Sequence, residues 1–118
     1  MKQQSALNWN ILTQTEQFVN ILEQSYKKPQ VLFKHSSRCS VSSVALQRME
    51  KSSTIPNADF YFLDLIRFRN ISDKIAHDLN VYHESPQILL IINGECIYDE
   101  SHLGIDMREL SEQISMLN

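Results

Sequence analysis

Leu32-Phe33-Lys34-His35-Ser36-Ser37-Arg38-Cys39-Ser40-Val41-Ser42 is the stretch on which the reading of this chain turns. Val31-Leu32-Phe33, shortly after Pro29, is an apolar run that suits a buried strand. A polar loop, His35 to Cys39, follows it. Val41, Val44, Ala45, Leu46 and Met49 then recur at helical spacing until the loop Ser52 to Asn57. Cys39 therefore stands where a strand gives way to a helix. Backbone N–H groups in a helix's first turn have no internal partner, and the helix dipole places partial positive charge there. Both effects favour a thiolate, the attacking species in disulfide exchange. Arg38 adjoins the thiol, and Lys34 and His35 are close in sequence.

Cys39-Ser40-Val41-Ser42 keeps the C-x-x-C spacing with serine in the second place. Ser42 offers a hydrogen bond to the Cys39 sulfur but cannot close an intramolecular disulfide. The chemistry this allows is monothiol: Cys39 takes a thiol adduct and an external thiol releases it. The plain alternative is a structural cysteine ahead of a helix.

The flanking segments supply the context. Residues 1–12 carry Trp9, Ile11 and Leu12 without a clear period and read as an N-terminal lead-in to a single domain spanning 13–118. Thr13 with Glu16 fits a capping box for a helix bearing Phe18, Ile21, Leu22 and Tyr26, which stops before Lys27-Lys28-Pro29. Phe60 to Leu65 is a second apolar strand. Asn70 with Asp73 suggests the cap of a helix through Ile71, Ile75, Ala76 and Leu79, with Asn80 at its end. Gln87 to Ile92 is a third strand, and Asn93-Gly94 is the hairpin signal that returns it as Cys96 to Asp99. Asp106 and Glu109 open a last helix carrying Met107, Leu110, Ile114 and Leu117. The order α-β-α-β-α-β-β-α predicts an α/β protein with a mixed four-stranded sheet flanked by helices, the order of the thioredoxin-like fold.

Pro86 opens the third strand, where that fold carries a cis proline facing the nucleophilic cysteine. A cis bond there would expose the backbone of Ser85 to an extended substrate. A trans proline that simply starts an edge strand fits the sequence equally well.

The totals narrow the function classes. The 118 residues suit one domain. Eleven Lys and Arg stand against 14 Asp and Glu, a net charge of −3, so no basic surface advertises a nucleic-acid or membrane partner. No apolar run approaches the roughly 18 residues that span a bilayer, and no signal core follows Met1-Lys2-Gln3-Gln4. The expected location is the cytoplasm. Two distant cysteines, Cys39 and Cys96, make neither a structural disulfide nor, with histidine, a metal-ligand spacing.

Three segments together carry a family resemblance. Leu32 to Cys39 with Ser42, Tyr61-Phe62-Leu63-Asp64-Leu65-Ile66-Arg67, and His83-Glu84-Ser85-Pro86-Gln87 resemble the monothiol bacilliredoxins of the bacillithiol system, the YtxJ-like proteins, over about residues 29 to 117. The resemblance implies an oxidoreductase with no bound cofactor that removes bacillithiol, or a similar low-molecular-weight thiol, from S-thiolated proteins. Cys39 would accept the adduct, and free thiol or a thiol-disulfide reductase would restore it. Pro86 would be the cis proline and Ser42 would occupy the place of the absent resolving thiol. One departure stands out: the family usually has proline directly after the cysteine, and this chain has Ser40. That frees a backbone N–H near the sulfur and weakens the case for bacillithiol itself as the partner.

The remaining polar and ionisable residues each admit a plainer role. His35 either tunes Cys39 electrostatically or is a solvated loop residue. His83, three residues before Pro86, is a candidate for the substrate groove. Asp64 ends a buried strand, and Arg67 and Arg69 after it either meet an anionic ligand or are solvated. Cys96 reads as a small core residue, with a distal resolving thiol as the alternative. His77 and His102 read as surface residues. The competing function is a non-enzymatic thioredoxin-fold adaptor that binds peptides or senses redox state. An iron–sulfur carrier is a weaker third reading, because the Cys-Gly-Phe-Ser loop of monothiol glutaredoxins is missing.

Overall fold

In the computed structural model, which describes residues 7–117, the central strand is β2, Gln30–His35, all six residues of which are buried. It pairs in parallel with β3, Asp59–Asp64, and antiparallel with β4, Gln87–Ile92. The hairpin partner β5, Glu95–Ser101, lies at one edge, and β1, Trp9–Ile11, pairs in parallel with β3 at the other. The sheet order is β1-β3-β2-β4-β5. Four helices connect and close it: α1, Thr15–Gln24; α2, Ser40–Lys51; α3, Arg69–Leu79; and α4, Met107–Ser115.

Alternation along the strands sorts the core into two layers. Val31, Phe33, Phe60, Ile88 and Leu90 pack with Ala45 and Met49 of α2 and Met107, Leu110 and Ile114 of α4. Leu32, Leu63, Leu89 and Ile91 pack on the other face with Phe18 and Ile21 of α1 and Ile71 and Ile75 of α3. The result is the expected α/β thioredoxin-like sandwich, with five strands where four were expected.

The additional strand lies inside the expected lead-in, whose residues 1–6 fall outside the described ones. Trp9–Ile11 is too short to show a period, and its stabilisation comes from across the sheet. The Trp9 ring lies 5.9 Å from those of Phe33 and Phe60 and 5.7 Å from that of Phe62. Leu12 is fully buried, and its N–H donates to Phe62 O at 2.9 Å.

Helix starts differ from expectation in two places. The α1 box is shifted by one residue: Gln17 Oε1 accepts from the N–H groups of Thr13 (2.7 Å) and Gln14 (3.0 Å), while its Nε2 donates to Ile11 O. Gln17 stands at the third position of the helix, and its amide both accepts from two N–H groups and donates to a carbonyl, which the acceptor-only carboxylate of Glu16 could not do. Helix α3 begins at Arg69, so Asn70 lies inside it rather than at its cap. It runs on directly from a turn made by Asp64, whose Oδ1 accepts from the N–H groups of Ile66 and Arg67 at 3.1 and 3.4 Å. The termini read from Asn80 (φ 54°), from Asn93-Gly94 (φ 52° and 78°) and from the Asp106 cap are all present. Tyr26 and Leu117 lie just past their helices and are exposed.

Candidate active site at the end of the central strand

Strand register brings the site together. His35 of β2 is the partner of Asp64 in β3, and Lys34 is opposite Gln87 in β4. The chain after His35 and the chain before Gln87 therefore lie at one end of the sheet. Cys39 and Pro86 are on those two segments, and the Ser85–Pro86 bond is cis.

Cys39 is the N-cap residue of α2, with extended backbone (φ −115°, ψ 118°). Its N–H donates to Ser36 O at 3.2 Å, and its carbonyl accepts from Ser43 N–H at 3.2 Å. This turn holds the residue at the helix start and leaves it partly exposed beside exposed Ser37, Arg38 and Ser40. Among the described residues no hydrogen bond reaches its sulfur.

Ser42 is fully buried, and its hydroxyl is committed elsewhere than expected. Ser42 Oγ accepts from Ser36 N–H at 3.0 Å and lies 2.7 Å from His35 Nδ1. With one lone pair already used by Ser36, the hydroxyl proton is best placed toward His35 Nδ1. Burial holds the His35 imidazole below its ordinary pKa, against the opposing pull of Asp64, which matches a neutral acceptor ring. The Ser42 hydroxyl thus binds the active loop to β2 rather than donating to the Cys39 sulfur. His35 is accordingly no solvated loop residue: it is 9% exposed, and its ring packs 5.2 Å from that of Phe62.

On the opposite face of β2, Lys34 is completely buried. Its Nζ donates to Ser72 O at 3.1 Å and lies 3.4 Å from His83 Nδ1. Burial lowers its pKa to about 8, partly offset by Asp73. From the sequence alone Lys34 is only a charge near Cys39. Its alternation with Leu32 could have signalled a buried lysine, since both fall on one face of the strand.

Pro86 is buried, while Ser85 and His83 are partly exposed, and the Ser85 hydroxyl is buried without a partner. Arg38, Arg67 and Arg69 are all exposed, with Arg67 lying 5.4 Å over the Phe68 ring. Cys96 is on β5 opposite Ile91, four residues along β4 from Gln87, or about 14 Å along the strand. Its Sγ donates to Tyr98 O, and burial pushes its pKa to about 11. That thiol is far from the active loop and poorly ionised. No helix among the described residues is long and apolar enough to cross a membrane.

A partly exposed thiol at a helix start, at the same sheet end as a cis proline that leads into the neighbouring strand of a thioredoxin-like sheet, is the arrangement of a thiol oxidoreductase. Solved structures agree on the fold. A thioredoxin-fold protein described as a candidate oxidoreductase is 32% identical, with a TM-score of 0.76 over 86% of this chain and 89% of its own. Thioredoxins from Malassezia sympodialis and Fasciola hepatica are 18% and 16% identical, each with a TM-score of 0.69, over 98% and 92% of this chain and 96% and 99% of theirs. The family described as monothiol bacilliredoxin BrxC matches residues 10–110, and the chain belongs to that family.

Proposed function

We propose that this protein removes bacillithiol, or a closely similar small thiol, from protein mixed disulfides through Cys39. The observation that carries the reading is the placement of Cys39: partly exposed, at the first turn of α2, at the sheet end that bears Pro86, with Cys96 far along the sheet. Family membership supports bacillithiol as the co-substrate.

In the first step the Cys39 thiolate attacks the bacillithiol sulfur of the protein mixed disulfide. A Cys39–bacillithiol disulfide forms, the protein–bacillithiol disulfide breaks, and the protein leaves as a thiolate that takes up a proton. In the second step an external thiol attacks the bacillithiol sulfur on Cys39. When that thiol is bacillithiol, bacillithiol disulfide is released and Cys39 returns as thiolate. Over both steps, one protein mixed disulfide and one free bacillithiol give one protein thiol and one bacillithiol disulfide, with Cys39 regenerated. Ser42 cannot replace the external thiol, which makes the second step intermolecular.

Ser85, Pro86 and His83 would form the groove for the substrate chain, with His35 and Ser42 holding the loop that carries the nucleophile. Exposed Arg38 would add a screened positive charge beside the thiolate. The cycle needs free thiols, which fits the cytoplasm as its compartment, with S-thiolated proteins, the small thiol and a thiol-disulfide reductase as partners.

The test is intact-mass spectrometry after mixing the reduced protein with a bacillithiolated protein. The adduct should leave the substrate and appear on the wild type, and neither should occur with Cys39→Ser. Retention of the adduct on the substrate with wild type would overturn the reading and leave the adaptor. Equal transfer with glutathione-modified substrate would keep the reaction and remove the preference for bacillithiol.

A further inference from the structure

The loop from Val81 to Pro86 lies between α3 and β4 without regular structure, yet it bears the proposed groove. Two side chains rising from the buried face of the sheet hold it. Gln87 Nε2 donates to Tyr82 O at 2.9 Å, and Lys34 Nζ approaches His83 Nδ1 at 3.4 Å. Lys34 and Gln87 are cross-strand partners, so one pair in the sheet grips two consecutive loop residues. Ser72 completes the cluster, giving its carbonyl to Lys34 and placing Oγ 3.3 Å from His83 Nδ1.

We propose that Lys34 is a positioning residue, a buried clamp that holds the groove loop through His83 and lets go when His83 takes up a proton. The chemistry is one of donors and acceptors. An ammonium only donates, so it can bind the imidazole only while Nδ1 carries a lone pair. A proton on His83 turns that acceptor into a donor and sets two cations 3.4 Å apart on the buried side. The other charges facing His83 are Arg69 and Asp73 from α3 and Glu84 from the loop. Burial, Lys34 and Arg69 lower its pKa, and Asp73 and Glu84 oppose them. Loss of a proton from Lys34 on the alkaline side is tolerated, since a neutral amine still donates to Ser72 O. Release is therefore confined to the acid side.

This inference rests on the proposed groove for its catalytic meaning, but its structural part is measured without substrate. The amide resonances of Tyr82, His83, Glu84 and Ser85 are followed in the labelled full chain from about pH 7.5 down to about pH 5. Wild type should show a concerted acid-side change at these four amides, and His83→Asn should not, because Asn Oδ1 accepts from Lys34 and does not titrate. In Lys34→Met the order parameters of the same amides should fall at neutral pH, because the loop loses its hydrogen bond to a charged group. The KM of that variant for a mixed-disulfide protein should rise while iodoacetamide alkylates Cys39 at the wild-type rate.

Persistence of the acid-side change in His83→Asn, or unchanged loop order parameters in Lys34→Met, would overturn the clamp. If Lys34→Met does not fold, His83→Leu decides, since it must loosen the loop at neutral pH where His83→Asn does not. Failure of adduct transfer in every variant, with the amide signature intact, would refute the groove's catalytic reading alone.

Discussion

Replacing Ser42 with alanine separates a structural serine from one that serves the thiolate. The side chain lost is a single hydroxyl, but two buried groups lose their partner: Ser36 N–H at 3.0 Å and His35 Nδ1 at 2.7 Å. Leaving a buried polar group unsatisfied costs about 1–3 kcal/mol. Ser36 and His35 are 6% and 9% exposed, close enough to the surface for water to recover part of one bond. A net loss of about 2–3 kcal/mol follows. For 118 residues at about 2.1 cal/mol/K each, the unfolding entropy is about 0.25 kcal/mol/K, so Tm should fall by roughly 10 °C. Calorimetry measures this directly, and the rate of Cys39 alkylation by iodoacetamide in the folded protein is the companion measurement. The expected result is a large drop in Tm with an alkylation rate within about twofold of wild type, as fits a hydroxyl not bonded to the sulfur. A Tm within about 2 °C of wild type, with alkylation changed severalfold, would refute the assignment and return Ser42 to the sulfur.

Three further outcomes are expected. Gly94→Ala should destabilise by about 1–2 kcal/mol in chemical denaturation, because an L side chain is strained at φ 78°. The added Cβ would also lie 2.7 Å from the Tyr26 hydroxyl, but that side chain is exposed and can swing away, so Tyr26→Ala should not rescue the variant. At pH 8 a thiol of pKa about 11 is ionised only to about one part in a thousand, so Cys96 should resist alkylation until the protein unfolds, and Cys96→Ser should transfer adducts like wild type. Both His35 and His83 have pKa values below the ordinary 6.5, so the unfolded chain binds protons that the folded one does not. Their contribution to stability is complete above pH 6.5 and is lost as pH falls below it, levelling off below the depressed folded values. Urea midpoints should drop between pH 7 and pH 5, less so in His83→Asn.

What could be read from the linear chain was whatever depends on short range. Apolar runs marked β2, β3 and β4, helical spacing marked the four helices, and Asn93-Gly94 marked the hairpin through the positive φ its turn requires. The position of Cys39 between strand and helix followed from the same local patterns. Contacts across the sheet were beyond that reach. Strand β1 depends on the aromatic cluster around Trp9, whose partners are more than 20 residues away. The commitment of Ser42 to His35 and of Lys34 to His83 was settled by which face of β2 each strand residue presents and by what α2 and the loop between α3 and β4 bring to that face. A side chain's chemistry is written in the sequence, but its hydrogen-bond partner is chosen by packing, because burial removes water as the alternative and leaves only the groups that the fold has placed within reach.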